Sequence, residues 1–433
     1  MRTSILVLTS VFFITISTAQ NMSDINKDMP SLVKTYKYLH ENPELSFKEV
    51  KTASFLAKKM KSYGFTVTEH VGGTGVVAIL KNGKGPKILV RTDTDALPIL
   101  EKTGVDYASK VKQIDIEGIE RPVMHACGHD MHMSVWLGTA KYLSEHKKEW
   151  KGTIMMIAQP AEERGGGAKA MLKDGLYSRF FVPDFALALH VNSGLPTGQI
   201  SYCSGYSMAN VDSAKITLIG KGGHGAYPHK TIDPIVMASQ LVLDLQTIVS
   251  RETSPIDAAV VTVGSFHGGT KGSIIPTEVN LELTIRTYKE EVRDKVMMAI
   301  KRKANAVAQS FSVHKDHYPK VRFKKSYTPA LYNNPKLVTT VVAKLKTIFG
   351  DKNIIKSDPV MGGEDFARYG KTEDKVPIFM FNLGVVNVDR YAIFKKEKKQ
   401  LPSIHSDLMI PDPEPSIKTG IIAMITAIKS LKK

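Results

Sequence analysis

Apolar positions along the chain fall into two rhythms. Residues 31–39 and 47–63 repeat at helical spacing, the second segment stopping at Gly64. Residues 76–80 and 87–90 are short apolar runs bounded by glycine, which predicts buried strands, with Asn82-Gly83-Lys84-Gly85 as a turn between them. A helix over 133–143 and strands over 153–158 and 185–189 follow. Strands alternating with helices predict an α/β fold around a mixed, partly parallel sheet with helices on both faces.

The texture changes near Ser207. Residues 213–219 alternate as a half-exposed strand, and a helix (234–250), two strands (258–266 and 279–287), a helix (290–310) and a strand (321–323) come after it. That order is the split βαβ, or ferredoxin-like, arrangement. The helix over 335–348 and the strand over 378–383 then resume the first style. The expected organisation is a signal segment (1–19), a catalytic domain in two parts (20–208 and 327–433) and an inserted α+β domain (209–326).

The first residues have an export layout: Arg2, an apolar run over 5–16 and the small residues Ser17-Thr18-Ala19. The run is too short to span a bilayer, so a periplasmic or secreted protein without stable membrane insertion is expected. The chain has two cysteines, Cys127 and Cys203. Cys127 lies between histidines, and a ligand thiolate cannot share a disulfide, so both are expected to be unpaired. A net charge of +17 raises the question of nucleic acid. The lysines are scattered and lack interleaved aromatics, which argues for a solvated surface instead.

Polar residues collect where apolar runs end. Residues 88–90 lead into Arg91-Thr92-Asp93-Thr94-Asp95, 153–158 into Gln159-Pro160-Ala161-Glu162-Glu163, and 185–189 into His190. In open α/β sheets ligands bind beyond the carboxyl ends of strands, so three such ends predict a site. Cys127 and His129, with His125, Asp130 and His132 close by, read as ligands on one face of extended backbone. Thiolate, imidazole and carboxylate together suit zinc and related first-row ions. In Glu162-Glu163, neighbours on extended backbone point opposite ways, so one carboxylate can bind metal while the other reaches an activated water.

Five segments in order then carry a family resemblance: 91–98 (RTDTDALP), 125–130 (HACGHD), 160–163 (PAEE), 223–229 (GHGAYPH) and 363–366 (GEDF). They resemble the hippurate hydrolase and auxin-conjugate amidohydrolase branch of the aminoacylase/carboxypeptidase metallopeptidases, from about Lys34 to near the C-terminus. The resemblance implies a zinc-peptidase-like catalytic domain with an inserted lid or dimerisation domain and the possibility of a homodimer through it. It also implies a dinuclear centre held by Cys127, His129, Glu163, His190 and His405, with Cys127 bridging and zinc, manganese, nickel or cobalt as the ions. Glu162 would be the general base, Asp95 would orient a ligand, and His224 would reach the substrate's oxyanion or carboxylate. Arg286 and, less directly, Asn280 would contact substrate. The sequence departs from the family pattern at Glu282-Leu283, where a glycine is usual, and at Thr92, Thr94 and Ile404.

The function implied is a metal-dependent amidohydrolase that cleaves N-acyl amino acids to a carboxylic acid and an amino acid. A dipeptidase or carboxypeptidase on the same scaffold is the alternative, and a non-catalytic envelope protein binding metal or peptide is the reading from another class. The expected partner is a small N-acyl amino acid or short peptide, with no nucleic acid.

Overall fold

The strand runs assemble into one eight-stranded sheet. Its members are β1 (Thr66–Val71), β2 (Gly75–Asn82), β3 (Lys87–Asp93), β4 (Gly152–Gln159), β5 (Phe185–Pro196), β6 (Ile200–Tyr202), β7 (Ile354–Lys356) and β8 (Ile378–Val386). Their order is β1-β2-β4-β3-β5-β8-β6-β7. The central strands β4, β3, β5 and β8 run parallel. β1 and β2 pair antiparallel, β2 meets β4 antiparallel, and β6 meets β8 antiparallel. The fold is thus the mixed, mainly parallel α/β sheet that the alternation predicts. Asn82-Gly83-Lys84-Gly85 turns the chain without making a hairpin, because β4 inserts between β2 and β3.

These coordinates come from a computed structural model that describes residues 4–432, with side chains from residue 23 onward. The expected signal segment, 1–19, falls outside the described side chains. Among the described residues no helix is long and apolar enough to cross a membrane. The helix predicted over 31–39 belongs to a longer one, α1 (Ser4–Glu41), which buries Ile25, Met29 and Leu32.

The second helix, α2 (Val50–Ser62), starts three residues later than its apolar spacing predicts. Phe47 adopts a left-handed backbone (φ 62°), and the carboxylate of Glu44 accepts hydrogen bonds from the first-turn amides of Lys51 and Thr52. A capped start of that kind satisfies amides that have no partner within the helix.

Parallel central strands need cover on both faces. One face presents Ile88, Val90, Met156, Leu187, Leu189 and Phe381 to a core shared with α1, α2, α3 (His129–Glu145), α4 (Pro335–Phe349) and α5 (Pro413–Ser430). The alternate residues Leu89, Met155, Ile157, Ala186, Ala188 and Met380 are buried as well. Helices α3 and α5 approach closely because glycines face each other's side chains. A Cβ on Gly138 would lie 2.2 Å from Cδ1 of Ile421, and one on Gly420 would lie 2.6 Å from Cγ2 of Val135.

By contact density the chain divides into two compact units. The larger comprises residues 1–205, 333–357 and 368–433, and the smaller 206–332 with 358–367. The smaller unit has an antiparallel sheet of Ala259–Gly268, Glu278–Thr287, Asp212–Ile219 and Lys320–Phe323, in that spatial order. Its helices Pro234–Thr247 and Glu290–Ser310 bring Leu241, Val296 and Ile300 against Ile216, Leu281 and Ile285. This is the ferredoxin-like βαββαβ order.

Gly138→Val is expected to destabilise the protein by about 2 kcal/mol through overpacking between α3 and α5. Chemical denaturation checks it, and an unchanged midpoint would mean that the two helices separate at little cost.

Candidate metal centre

The parallel strands bring their carboxyl ends to one edge of the larger unit's sheet, and the predicted polar residues arrive there. Asp93 ends β3, with Thr94 and Asp95 just beyond it. Glu162 and Glu163 follow β4. His190 lies inside β5, which runs six residues past it to Pro196, rather than after the strand's end.

The segment around Cys127 is not the extended backbone that its Cys-x-His spacing suggests. Gly128 takes a left-handed conformation (φ 76°), so Cys127 sits in a turn and His129 opens α3. A Cβ on Gly128 would lie 2.7 Å from Cγ2 of Val191, so glycine is required sterically as well. His405, also left-handed (φ 65°), is docked by its amide on the Ala126 carbonyl at 2.8 Å.

Donor atoms crowd together as a result. Cys127 Sγ is 3.5 Å from His190 Nε2 and 3.2 Å from His405 Nε2. Glu163 Oε1 is 3.5 Å from His405 Nε2 and 3.8 Å from His129 Nε2. Ligands about 2.0–2.3 Å from a tetrahedral zinc-sized ion stand about 3.3–3.7 Å apart, which is the spacing seen here. Cys127, His129 and His190 form one group within ligand reach of each other, and Cys127, Glu163 and His405 form a second that shares the thiol.

Hydrogen bonds on the far sides of the rings fix which nitrogen faces the cluster. His129 Nδ1 donates to the Asp95 carbonyl at 2.8 Å, and His190 Nδ1 donates to the Val191 carbonyl at 2.8 Å. Each ring therefore turns Nε2 inward, the nitrogen that a metal would take once its proton is displaced. His129 Nε2 and Glu163 Oε1 are buried with no hydrogen-bond partner, a costly state unless a cation satisfies them.

His132, close enough to Asp93 and His129 to be a candidate, has both nitrogens engaged. Its Nδ1 donates to Asp93 Oδ1 at 2.6 Å, and its Nε2 accepts from the Val191 amide at 2.9 Å. It therefore braces β5 next to His190 and is not available as a ligand.

The electrostatics fit the same reading. Burial pushes the Cys127 thiol pKa well up, and Glu163, Glu162 and Asp93 push it further. Burial also lifts Glu163 to about 7, with His129 pulling it down and Asp95 pushing it up. For His129 burial opposes the charge, but Asp93, Asp95 and Glu163 outweigh it and hold the pKa at about 10. A buried excess of anionic donors is what a divalent cation would neutralise, releasing these protons as it binds.

Asp95 does more than orient one ligand. Its Oδ1 accepts the Glu162 amide and its Oδ2 the Glu163 amide, each at 3.1 Å, while Ser46 Oγ donates to Oδ2 at 2.6 Å. Glu162 and Glu163 consequently lie in a tight turn over 162–165, not on extended backbone. Asp93 is held by Arg91 at 2.6 Å. Burial works against its charge, but Arg91, His129 and His132 keep its carboxyl well below the usual range.

Sequence reasoning passed over Ser46, Glu49 and the bracing role of His132. The polar residues Glu44, Ser46, Lys48 and Glu49, gathered where the second apolar helix pattern begins, were the signal that could have flagged the first two.

The remaining predicted site residues lie in the smaller unit. His224 is exposed on a two-residue strand opposite Ile274, and its Nδ1 accepts from the Ala226 amide at 3.0 Å. Arg286 is half-buried on the strand Glu278–Thr287, and burial lowers its pKa. Asn280 is engaged within its own sheet, accepting from Thr217 Oγ1 at 2.7 Å and donating to Glu278 at 2.6 Å. Cys127 and Cys203 are both buried, and no disulfide joins them.

A parallel sheet edge that gathers thiol, imidazole and carboxylate donors beside a second carboxylate defines a metal-assisted hydrolase. The chain belongs to Peptidase family M20/M25/M40, whose pattern matches residues 89–405, and it is an enzyme that hydrolyses amide bonds. It is 34% identical to thermostable carboxypeptidase 2 of Saccharolobus solfataricus over 95% of this chain and 98% of that one. It is 37% identical to hippurate hydrolase of Campylobacter jejuni, over 81% and 90% of the two chains. Among solved structures, a dinuclear metal-binding M20 peptidase of Bacillus subtilis matches with a TM-score of 0.74 and 29% identity, covering 93% of this chain and 98% of that one. Together with the donor groups, these relatives point to divalent metal as the cofactor.

Burial depresses His125 and His132 to a pKa of about 4, overriding the opposite pull of Asp130 and Asp93 respectively. An unfolded histidine titrates near about 6.5. Between pH 6.5 and 4 the unfolded chain therefore binds protons that the native chain refuses, and stability falls as pH drops through that window. Each residue contributes a loss on the order of 3 kcal/mol, while Glu163, raised toward 7, changes in the opposite sense. The clean measurement compares metal-free protein with His125→Leu. Wild type should lose stability relative to the variant as pH falls from 6.5 to 4, and parallel curves would refute the assignment.

Proposed function

We propose that this protein hydrolyses N-acyl amino acids to a carboxylic acid and an amino acid, with two divalent cations and Glu162 as general base. The observation that carries the reading is the Asp95-held turn, which sets Glu162 and Glu163 side by side next to the group of donors sharing Cys127. When bound, the cations would polarise the acyl carbonyl and lower the pKa of the attacking water.

The chain's own residues do the rest. Cys127, His129, Glu163, His190 and His405 would hold the cations, as two groups of donors that share the Cys127 thiol. Glu162 accepts the proton of water as oxygen adds to the acyl carbon, then returns it to the leaving nitrogen as the C–N bond breaks. His224 would stabilise the developing oxyanion, and Arg286 would hold the substrate carboxylate through its planar fork. Asn280 takes a subordinate place, since its amide is engaged by Thr217 and Glu278.

Cysteine at position 127, within His-Ala-Cys-Gly-His-Asp, and the relative named hippurate hydrolase support acyl amino acids over peptides. The relative named thermostable carboxypeptidase 2 favours a second reading, removal of C-terminal residues from short peptides. We also propose export, with residues 1–19 as the signal and the mature protein in the periplasm or medium. N-terminal sequencing of protein recovered there should begin near Gln20, and an intact Met1 would refute it.

Chelation should abolish turnover, and zinc, manganese, nickel or cobalt added back to the metal-free protein should restore it to different extents. Glu162→Gln should keep its metal and lose about a thousandfold in kcat; retained turnover would sink the role given to Glu162. N-acetyl and N-benzoyl amino acids should be cleaved better than dipeptides, and the reverse order would favour the carboxypeptidase reading.

A further inference from the structure

Glu49 is fully buried and lies outside every donor group, yet its carboxylate faces the catalytic turn. Its Oε1 accepts from the Ala161 amide at 2.8 Å and from the Phe47 amide at 2.9 Å, and its Oε2 accepts from Thr74 Oγ1 at 2.6 Å. Ala161 immediately precedes Glu162 and adopts a left-handed backbone (φ 50°) with no exposed surface. An alanine holds that conformation only where its surroundings enforce it.

The carbonyl side of the same residue closes the loop. The Ala161 carbonyl accepts from Gly166 at 3.1 Å and from Gly167 at 3.2 Å, so the segment carrying both glutamates returns to Ala161. Three successive amides, those of Ala161, Glu162 and Glu163, are therefore held by two buried carboxylates, Glu49 and Asp95. Ser46 and Glu49 lie on one short segment before α2, and each reaches one half of this clamp.

We propose that Glu49 is a positioning residue for the hydrolytic reaction: by fixing the strained Ala161 peptide it aims the carboxylate of Glu162. The inference rests on Glu162 being the general base. Glu49 belongs to no donor group and its oxygens are taken by the Ala161 and Phe47 amides and Thr74, so its loss should appear in kcat and not in KM or metal content. Misplacing a reacting group by about 1 Å costs about a hundredfold in rate.

The experiment compares Glu49→Ala, Glu49→Gln and Glu162→Gln in the metal-loaded full chain, measuring kcat, KM, metal content and thermal midpoint. Glu49→Ala should lower kcat by about 30–100-fold with KM within about threefold and metal content unchanged. Glu49→Gln should recover to within about fivefold of wild type, because its amide oxygen can still accept from Ala161 and Phe47. A folded Glu49→Ala with wild-type kcat would overturn the proposal. So would a loss shared equally by Glu49→Gln, or one that tracks metal content. If Glu49→Ala does not fold, Glu49→Asp decides, since it withdraws the carboxylate by one methylene while keeping the charge; a kcat within about threefold of wild type there would also overturn it. An active Glu162→Gln would instead remove the functional reading beneath the proposal, whichever way the Glu49 variants behave.

Discussion

The carboxylate of Asp95 joins parts of the chain that share no secondary structure. It takes a hydroxyl from Ser46 and two amides from the turn after β4, and the carbonyl of the same residue fixes the ring of His129. The oxygens of a buried carboxylate need hydrogen-bond donors, and here every donor belongs to something the site must hold still. The parallel sheet makes this possible. Because β3, β4 and β5 run in one direction, their ends reach the same edge, and one side chain there can tie neighbouring crossovers together.

Charge explains why such an edge tolerates so many acids. Asp93 is balanced by Arg91 and accepts a hydrogen bond from His132, and Asp130 and Glu101 share the buried ring of His40 at 2.6 and 3.0 Å. Burial alone would lower the pKa of His40, but its hydrogen bonds to those two carboxylates raise it to about 9. In the inner group burial pushes the pKa values of Cys127 and Glu163 up. The outer acids are thus matched by cations of the protein itself, and the inner donors are the ones whose protons a metal would displace.

Much of this was legible beforehand, for reasons that differ by residue. Apolar runs ending in acids located β3, β4 and β5, because burial on both sheet faces writes a continuous apolar stretch. The family resemblance implied Cys127, His129, Glu163, His190 and His405 as a set, and the larger unit brings all of these side chains together. What local periodicity could not show was backbone handedness. Phe47, Gly128, Ala161 and His405 all take left-handed conformations, and each converts a segment readable as regular into a turn. The clamp formed by Ser46 and Glu49 was hidden for the same reason, since its partners lie 49 and 112 residues away along the chain.

That separation in sequence is wider still at His405, which meets Cys127 across 278 residues. Contacts so distant along the chain form only after most loop-closure entropy has been surrendered. The complete donor set therefore exists only in a chain whose larger unit has closed from its first strands to its final turn. Metal uptake at this cluster would then act as a record of folding, since a nascent or truncated chain lacking residue 405 would offer one donor fewer than the folded protein gathers.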